Sequence, residues 1–365
     1  MAKHNAANTR IKREYFDYLK EAMRRDEASI DQVAKALARF EEATGHKDFK
    51  KFHREQAKAF KHRLDKEKNA RTGKPLARAT VHSTLSALRA FFIWLAGQPG
   101  YKSRIAYADA DYFNLSEKDV RIAKAVREKP VPTLEQVHHV LATMPAGSDI
   151  DRRNRALIAL ALLTGARAAA LASLKLKHID LEQGCIYQDA REVKTKASKT
   201  FNTWFFPVGG DALPTVTDWC EYMRNDLFWG EDDPLFPKTQ IGLGEQGSFA
   251  ALGLAREHWS STGPIRDIYK HAFAAAGLPY HNPHCFRHAL ARLGERICTT
   301  PEHFKAWSQN LGHERVLTTF TSYGHVPAAR QADLIRGLGK PKATNDSEQL
   351  AAMLAETVRK FQAGQ

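Results

Sequence analysis

A small set of residues has the types and spacing to act on one substrate. Arg167 follows a Thr-Gly break in "LLTGARAAALASL", and His284 and Arg287 stand three apart in "HNPHCFRHALA". His313 and Tyr323 lie ten apart in "LGHERVLTTFTSYGHV", and "KTKASK" carries Lys194, Lys196 and Lys199 between two β-rich runs. A phosphodiester under attack needs its non-bridging oxygens clamped, which two bidentate arginines do well. It needs proton transfer near neutrality, the range of histidine. It also needs a nucleophile that can hold a covalent intermediate, and tyrosine is one. A free phenol titrates at about 10, so attack at neutral pH requires cationic neighbours or a base. The leaving alkoxide wants an acid, which the lysine-rich turn can deliver. Taken singly, each residue has an ordinary reading. A lone tyrosine is usually a surface aromatic, His325 is as eligible as His313, and an arginine at a helix start usually faces solvent.

The rest of the chain sets the context. Its 365 residues are long enough for two domains, each with its own core. Apolar content of 43% with 26% charge is that of a globular protein rather than a disordered one. The apolar run "ALIALALL" at 156–163 is far short of the roughly 20 residues of a membrane span. The N-terminus lacks the apolar segment of a secretory signal, and a cytoplasmic protein is expected. Cys185, Cys220, Cys285 and Cys298 show no framework spacing and read as reduced thiols. The net charge of +14 suggests a polyanionic partner, DNA or RNA. Residues 1–130 hold 29 Lys+Arg against 17 Asp+Glu, so nearly all of the surplus belongs to the first third.

That first third reads as helices. "SIDQVAKALARFEEAT" spaces Ile30, Val33, Ala34, Leu37 and Phe40 near the helical period, with Ser29 or Asp31 as the expected cap. Phe49, Phe52, Ala57, Phe60 and Leu64 share one face, and Val81, Leu85, Leu88, Phe92 and Leu95 form a further stripe. The loop "NARTGKPLARAT" puts Arg71, Lys74 and Arg78 before a helix start, a suitable phosphate contact. "VREKPVPTLEQV" carries two prolines and a Thr133-to-Gln136 capping box, which marks a linker and a new start. Beyond it come a helix near 151–164, then "CIYQDAREV" and "TFNTWFFPV" as a hairpin or three-stranded sheet. Helices dominate from 212 onward, broken by a Gly-rich loop at 241–253, with Asn282 as a cap and Pro283 as first helical residue. The tail ends in a short helix whose Leu350, Met353, Leu354, Val358 and Phe361 form one apolar face, against either this chain's own core or a neighbouring protomer.

Arg167 in "TGAR", His284 and Arg287 in "HxxR", "LGH" ending at His313 and Tyr323 in "YGH" together resemble the tyrosine recombinase (phage integrase) family. Each motif alone is weak; all four in order over about 160 residues are specific, and the first third also resembles the family's core-binding domain. The resemblance implies a mainly α fold with a small β-sheet (α+β), arranged as a two-domain clamp. A helical core-binding domain would span 1–128, the tyrosine-recombinase catalytic domain 129–340, and a linker and helix 341–365 would dock on the next protomer of a synaptic tetramer. It implies a site-specific recombinase or integrase, phage-borne or bacterial and acting on the nucleoid, of the kind that mobile elements carry. No metal, ATP or other cofactor would be needed. Its partners would be double-stranded recombination sites and an accessory directionality factor. Tyr323 would form a 3′-phosphotyrosyl link, Arg167 and Arg287 would hold the phosphate, and His284 and His313 would position it or move protons. The chain departs from the family pattern at Ala170, where an acidic residue usually stands three after the first arginine, so another group must orient Arg167. The expected lysine is Lys199, from its spacing to Pro207; Lys194 and Lys196 are the alternatives.

Other readings explain less. His281, His284, Cys285 and His288 invite zinc, but their spacing matches no usual pair of ligand pairs. A type IB topoisomerase shares the chemistry without joining two sites. A DNA-binding regulator that had lost catalysis would lack some of the five clear positions, and none is missing.

Overall fold

The computed structural model describes residues 4–70, 72–125, 130–244 and 247–313. The chain divides into two compact units, Met1–Val126 and Arg127–Gln365. Tyr323, His325, Arg71 and the tail helix expected after residue 341 lie outside the described residues.

The first unit is helical. Helix α1 (Ala6–Asp17) runs into a π-helical turn at Tyr18–Ala22, and α2 (Glu27–Ala43), α3 (Arg54–Lys66), α4 (Arg78–Ala96) and α5 (Glu117–Lys124) follow. The expected stripe of α4 is buried, and Phe92 from it stacks on Phe52 at 3.9 Å and meets Phe40 edge-on at 5.4 Å. Offset and edge-on rings satisfy the aromatic quadrupole while filling the core. The buried Asn8 is satisfied on both sides: its Nδ2 donates to Glu41 Oε1 and the Lys47 carbonyl, and its Oδ1 accepts from the Phe49 N–H. Two local expectations shift. The cap of α2 is Asp26, which accepts from the Ser29 N–H and starts the helix earlier than Ser29 or Asp31 would. Phe49 belongs to a separate 3-10 turn, Phe49–Lys51, before α3 begins.

The second unit opens with α6 (Leu134–Thr143), closed by the expected Thr133–Gln136 capping box. Helix α7 (Asp149–Thr164) is its axis. Residues 156–163 are all buried, so the run is apolar all round because it is enclosed on every side. After the short α8 (Ala168–Leu171), strands β1 (Ile179–Asp180), β2 (Cys185–Gln188) and β3 (Phe201–Trp204) form an antiparallel sheet in the order β1-β2-β3. Cys185 faces Trp204 and Gln188 faces Phe201, so β2 and β3 are one hairpin with the lysine-rich turn at its end. Helix α9 (Ala212–Asn225) packs along α7. Helices α10 (Gly263–Ala275), α11 (His284–Ile297) and α12 (Pro301–Asn310) complete the unit.

The Gly-rich loop expected at 241–253 is instead a second hairpin, β4 (Lys238–Leu243) with β5 (Phe249–Ala255). Gly247, at φ 71°, turns the chain between the strands, while Gly242 lies within β4. Gly242 pairs with Ala250, and a Cβ on Gly242 would meet Leu252 Cδ1 at 2.5 Å, so a side chain there would have to displace the Leu252 side chain. The hairpin's base is held to α7 by Arg153, which is buried. Its Nη1 donates to the Pro237 carbonyl at 2.7 Å, its Nη2 to Asn154 Oδ1 at 2.7 Å, and the guanidinium lies over the Trp259 ring at 4.9 Å. Burial pushes its pKa down to about 10, which still leaves it charged at neutral pH. All four cysteines are free, three of them buried, and no helix among the described residues is long and apolar enough to cross a membrane.

Tyr269 on α10 is fully buried against Phe286 of α11, and its hydroxyl has no hydrogen-bond partner among the described residues. An unsatisfied buried hydroxyl carries its desolvation cost without return. Tyr269→Phe is therefore expected to leave the unfolding free energy unchanged or raise it by about 1 kcal/mol in urea titration. A loss of that size would show that the hydroxyl has a partner.

Candidate active site

Three chain turns converge to build the site. The first ends α7. Thr164 Oγ1 donates to the Leu160 carbonyl and accepts from the Ala166 N–H, and Gly165 adopts the left-handed conformation at φ 59°. Glycine is required here twice over: a Cβ would also lie 2.9 Å from Leu290 Cδ1. The turn makes Arg167 the cap residue of α8 and leaves the Gly165 carbonyl pointing toward α11.

The second turn starts α11. Asn282 Oδ1 accepts from the His284 N–H at 3.0 Å, and Pro283 rather than Asn282 holds the cap position, one residue later than expected. His284 is thus the first helical residue, and Arg287 follows one turn on. The third turn ends α12 as "LGH". Gly312 is left-handed at φ 71°, and a Cβ there would sit 2.8 Å from Phe201 Cζ, so this turn presses on β3.

Arg287 ties these turns together. It is buried, its Nη1 donates to the Gly165 carbonyl at 2.6 Å, and its Nη2 donates to the Leu311 carbonyl and to His313 Nε2, the latter at 3.1 Å. Its Nε is buried without a partner among the described residues. A guanidinium has five N–H donors, and these bonds leave Nε–H and one Nη1–H without a partner among the described residues. Because Arg287 has no acceptor, His313 Nε2 must be the unprotonated nitrogen, which places the proton of the neutral ring on Nδ1.

The charges agree with a neutral ring. Burial first, then Arg287, Arg167, Lys196 and His284, push the His313 pKa down from 6.5 to about 4. Arg167, Lys196, His284, Arg287 and His313 therefore share one electrostatic neighbourhood. Lys196 opens a 3-10 turn at Lys196–Ser198, and Lys199 caps it. The lysine-rich turn is anchored before it by the Lys194 N–H, which donates to Ser173 Oγ at 2.8 Å, and by Val193, which is buried in the core. Ala170, where an acidic residue was expected, is buried in that same core.

Arg167 and His284 also line a cleft of about 400 Å³ with Ala168, Thr262, Arg266, Asn282 and Pro283. Arg266 was not singled out from sequence. It lies on α10 outside any motif, and its place in the cleft arises from how α10 packs.

His313 carries a pH prediction. Its folded-state pKa is depressed, so on acidification the unfolded chain takes up a proton that the folded chain refuses. The stability it contributes is whole above about 6.5 and falls as pH drops toward about 4. Nitrogen-15 NMR of the imidazole should find the Nδ1–H tautomer and no titration near 6.5; an ordinary histidine titration would refute the Arg287 contact.

Comparison with known proteins places the chain. A family model described as the Phage integrase family matches residues 131–330. The tyrosine recombinase XerC of Escherichia coli (strain K12 / DH10B) is 26% identical over 246 residues, covering 67% of this chain and 70% of that protein. Among solved structures, a lambda integrase (75-356) dimer bound to a COC′ core site superposes with a TM-score of 0.60 at 16% identity, covering 88% of this chain and 96% of that one. XerH site-specific recombinase bound to difH substrate, a pre-cleavage complex, gives 0.54 at 18% identity over 89% and 83%. With more than half of the sequence matched by the family and the fold shared with its structures, the chain belongs to the phage integrase family of tyrosine recombinases.

Proposed function

We propose that the chain cuts and rejoins DNA strands at specific sites through a 3′-phosphotyrosyl intermediate, without a metal ion or nucleotide cofactor. The observation that carries this reading is the Arg287–His313 hydrogen bond, with Arg167, Lys196 and His284 all close enough to perturb the same imidazole. Arg167 and the spare donors of Arg287 hold the non-bridging oxygens of the scissile phosphate, and His313 offers its Nδ1–H to one of them. Tyr323 Oη attacks phosphorus, its proton passes to His284, and the bond to O5′ breaks as O5′ takes a proton from the hairpin lysine. The 5′-hydroxyl of a second strand then reverses these steps and expels Tyr323. One phosphoester replaces another, so no external energy source is required. Spacing to Pro207 favours Lys199 as the acid, and proximity to His313 favours Lys196.

Residues 1–128 serve as the DNA core-binding part, 129–340 as the catalytic part, and 341–365 as a segment that docks on a neighbouring protomer. The structural relatives include a lambda integrase tetramer bound to a Holliday junction, with a TM-score of 0.57, which supports a tetramer on paired sites. The reading further places the protein in the cytoplasm on the nucleoid, with double-stranded recombination sites and an accessory directionality factor as partners, as for a mobile element. Arg71, Lys74 and Arg78 contact the DNA backbone; Arg78 is held by Asp65 in the structure and would exchange that partner for phosphate.

Covalent capture tests the chemistry. Full-length protein is mixed with a randomised duplex library carrying nicks, and adducts stable to detergent are isolated and sequenced. Wild type should yield adducts on one enriched sequence, and Tyr323→Phe should yield none. Arg167→Ala or Arg287→Ala should lower adduct formation by about 100-fold or more. No wild-type adduct, or an adduct from Tyr323→Phe, would sink the proposal.

Lys74→Ala should weaken binding to duplexes of any sequence alike and reduce the slope of log affinity against log salt by about one. An unchanged slope would remove Lys74 from the interface.

A further inference from the structure

Strand β3 is the edge of its sheet, since the order is β1-β2-β3. Its outer side is nonetheless paired. The Trp204 N–H donates to Asn310 Oδ1 at 2.7 Å, and Asn310 Nδ2 donates back to the Trp204 carbonyl at 2.9 Å. Thr203 Oγ1 adds a longer contact to the Asn310 carbonyl at 3.4 Å. The side-chain amide thus behaves as a fourth strand one residue long. A carboxamide suits this task because it presents one acceptor and one donor side by side, matching the N–H and C=O of a single strand residue. An aspartate offers no donor, and an apolar side chain offers neither group.

What the pairing joins gives it meaning. Asn310 is the last residue of α12, and His313 is three residues further on. Trp204 ends β3, whose first residue, Phe201, is two after Lys199 and lies against Gly312. At its other end the lysine-rich turn is fastened by Lys194 to Ser173, just beyond the helix that Arg167 caps. The turn is therefore slung between the two catalytic turns, and the Asn310–Trp204 pair is the fastening on the His313 side.

We propose that Asn310 is a positioning residue: it sets the register of the β2–β3 hairpin on the His313 turn and so places the hairpin lysine at the leaving O5′ atom. The proposal rests on the reading above, in which a lysine of that turn protonates O5′. Displacing a catalytic group by about 1 Å costs about 100-fold in rate, so loosening this register acts on the proton-transfer step.

A leaving-group substitution separates this role from a general loss of structure. Two duplexes carry the captured site, one with the natural O5′ and one with sulfur in its place. In both, the Tyr323 Oη–P bond forms. In the second, the P–S bond breaks and a thiolate departs, which with a thiol pKa of about 8.5 needs no acid. Asn310→Ala should cleave the oxygen duplex about 10- to 100-fold more slowly than wild type, yet cleave the sulfur duplex within about twofold of it. Its affinity for the duplex should be unchanged. Equal losses on both duplexes, or no loss on the oxygen duplex, would overturn the proposal. Asn310→Asp keeps the acceptor for Trp204 and removes the donor; it reads in the same way if the alanine variant proves too unstable to purify. Lys196→Ala and Lys199→Ala are run beside them. If neither is rescued by sulfur, the lysine reading fails and takes the proposal with it. If one is rescued while Asn310→Ala is not, the reading stands and Asn310 is excluded.

Discussion

The second unit depends on a buried cation that has no carboxylate partner among the hydrogen bonds and ion pairs of the described residues. Arg287 is 3% exposed, and burying an unpaired charge is costly unless hydrogen bonds replace the lost water. Its partners are main-chain carbonyls at Gly165 and Leu311, supplied by two helices that have just ended. Helix C-termini carry partial negative charge and leave carbonyls without intrahelical donors. One guanidinium therefore meets the needs of two helix ends, while those ends stabilise its charge. The left-handed glycines at 165 and 312 follow from this arrangement, since each lies in the sharp turn where one of those helices stops.

Neutral carbonyls do not cancel the charge of Arg287, as an aspartate would. The field remains positive, and it is felt at His313, whose protonation it opposes together with Arg167, Lys196 and His284. A site so arranged is ready for an anion and poor at holding a second proton. The same cations that would stabilise a pentavalent phosphorane also lower the cost of ionising a phenol brought among them. In the proposed reaction a single electrostatic bias would serve nucleophile and transition state alike.

How much of this could be read from the sequence depended on whether the constraint was local. The grouping of Arg167, His284, Arg287 and His313 was legible because the turns that carry them fix their spacing; Tyr323 lies outside the described residues. Helix α7 and the Thr133 box were legible because periodicity and capping act over a few residues. The β4–β5 hairpin was not, because Gly242 reads as a loop residue until Leu252 is seen lying over it. The lysines stayed ambiguous because their register depends on contacts with residues distant in sequence, Val193 in the core and the Lys194 N–H on Ser173, 21 residues back. Arg266 and Asn310 carry no motif at all. Their places come from the packing of α10 and from an edge strand that spacing cannot locate. The cap of α2 was misplaced because Asp26 and Ser29 are both good caps, and tertiary context chose between them.

The β4–β5 hairpin also affects how the protein behaves in a tube. Ile241, Leu243, Phe249 and Leu252 are all more than half exposed on a two-stranded ribbon. Such a ribbon is an invitation to self-association. The opposing force is mutual repulsion between molecules of net charge +14, which acts over a Debye length of about 10 Å at 0.1 M salt. Salt high enough to strip adventitious nucleic acid from the basic surface screens that repulsion as well. The colloidal window of this chain is bounded on one side by its polyanion affinity and on the other by four apolar side chains far from Arg167 and Arg287 in sequence.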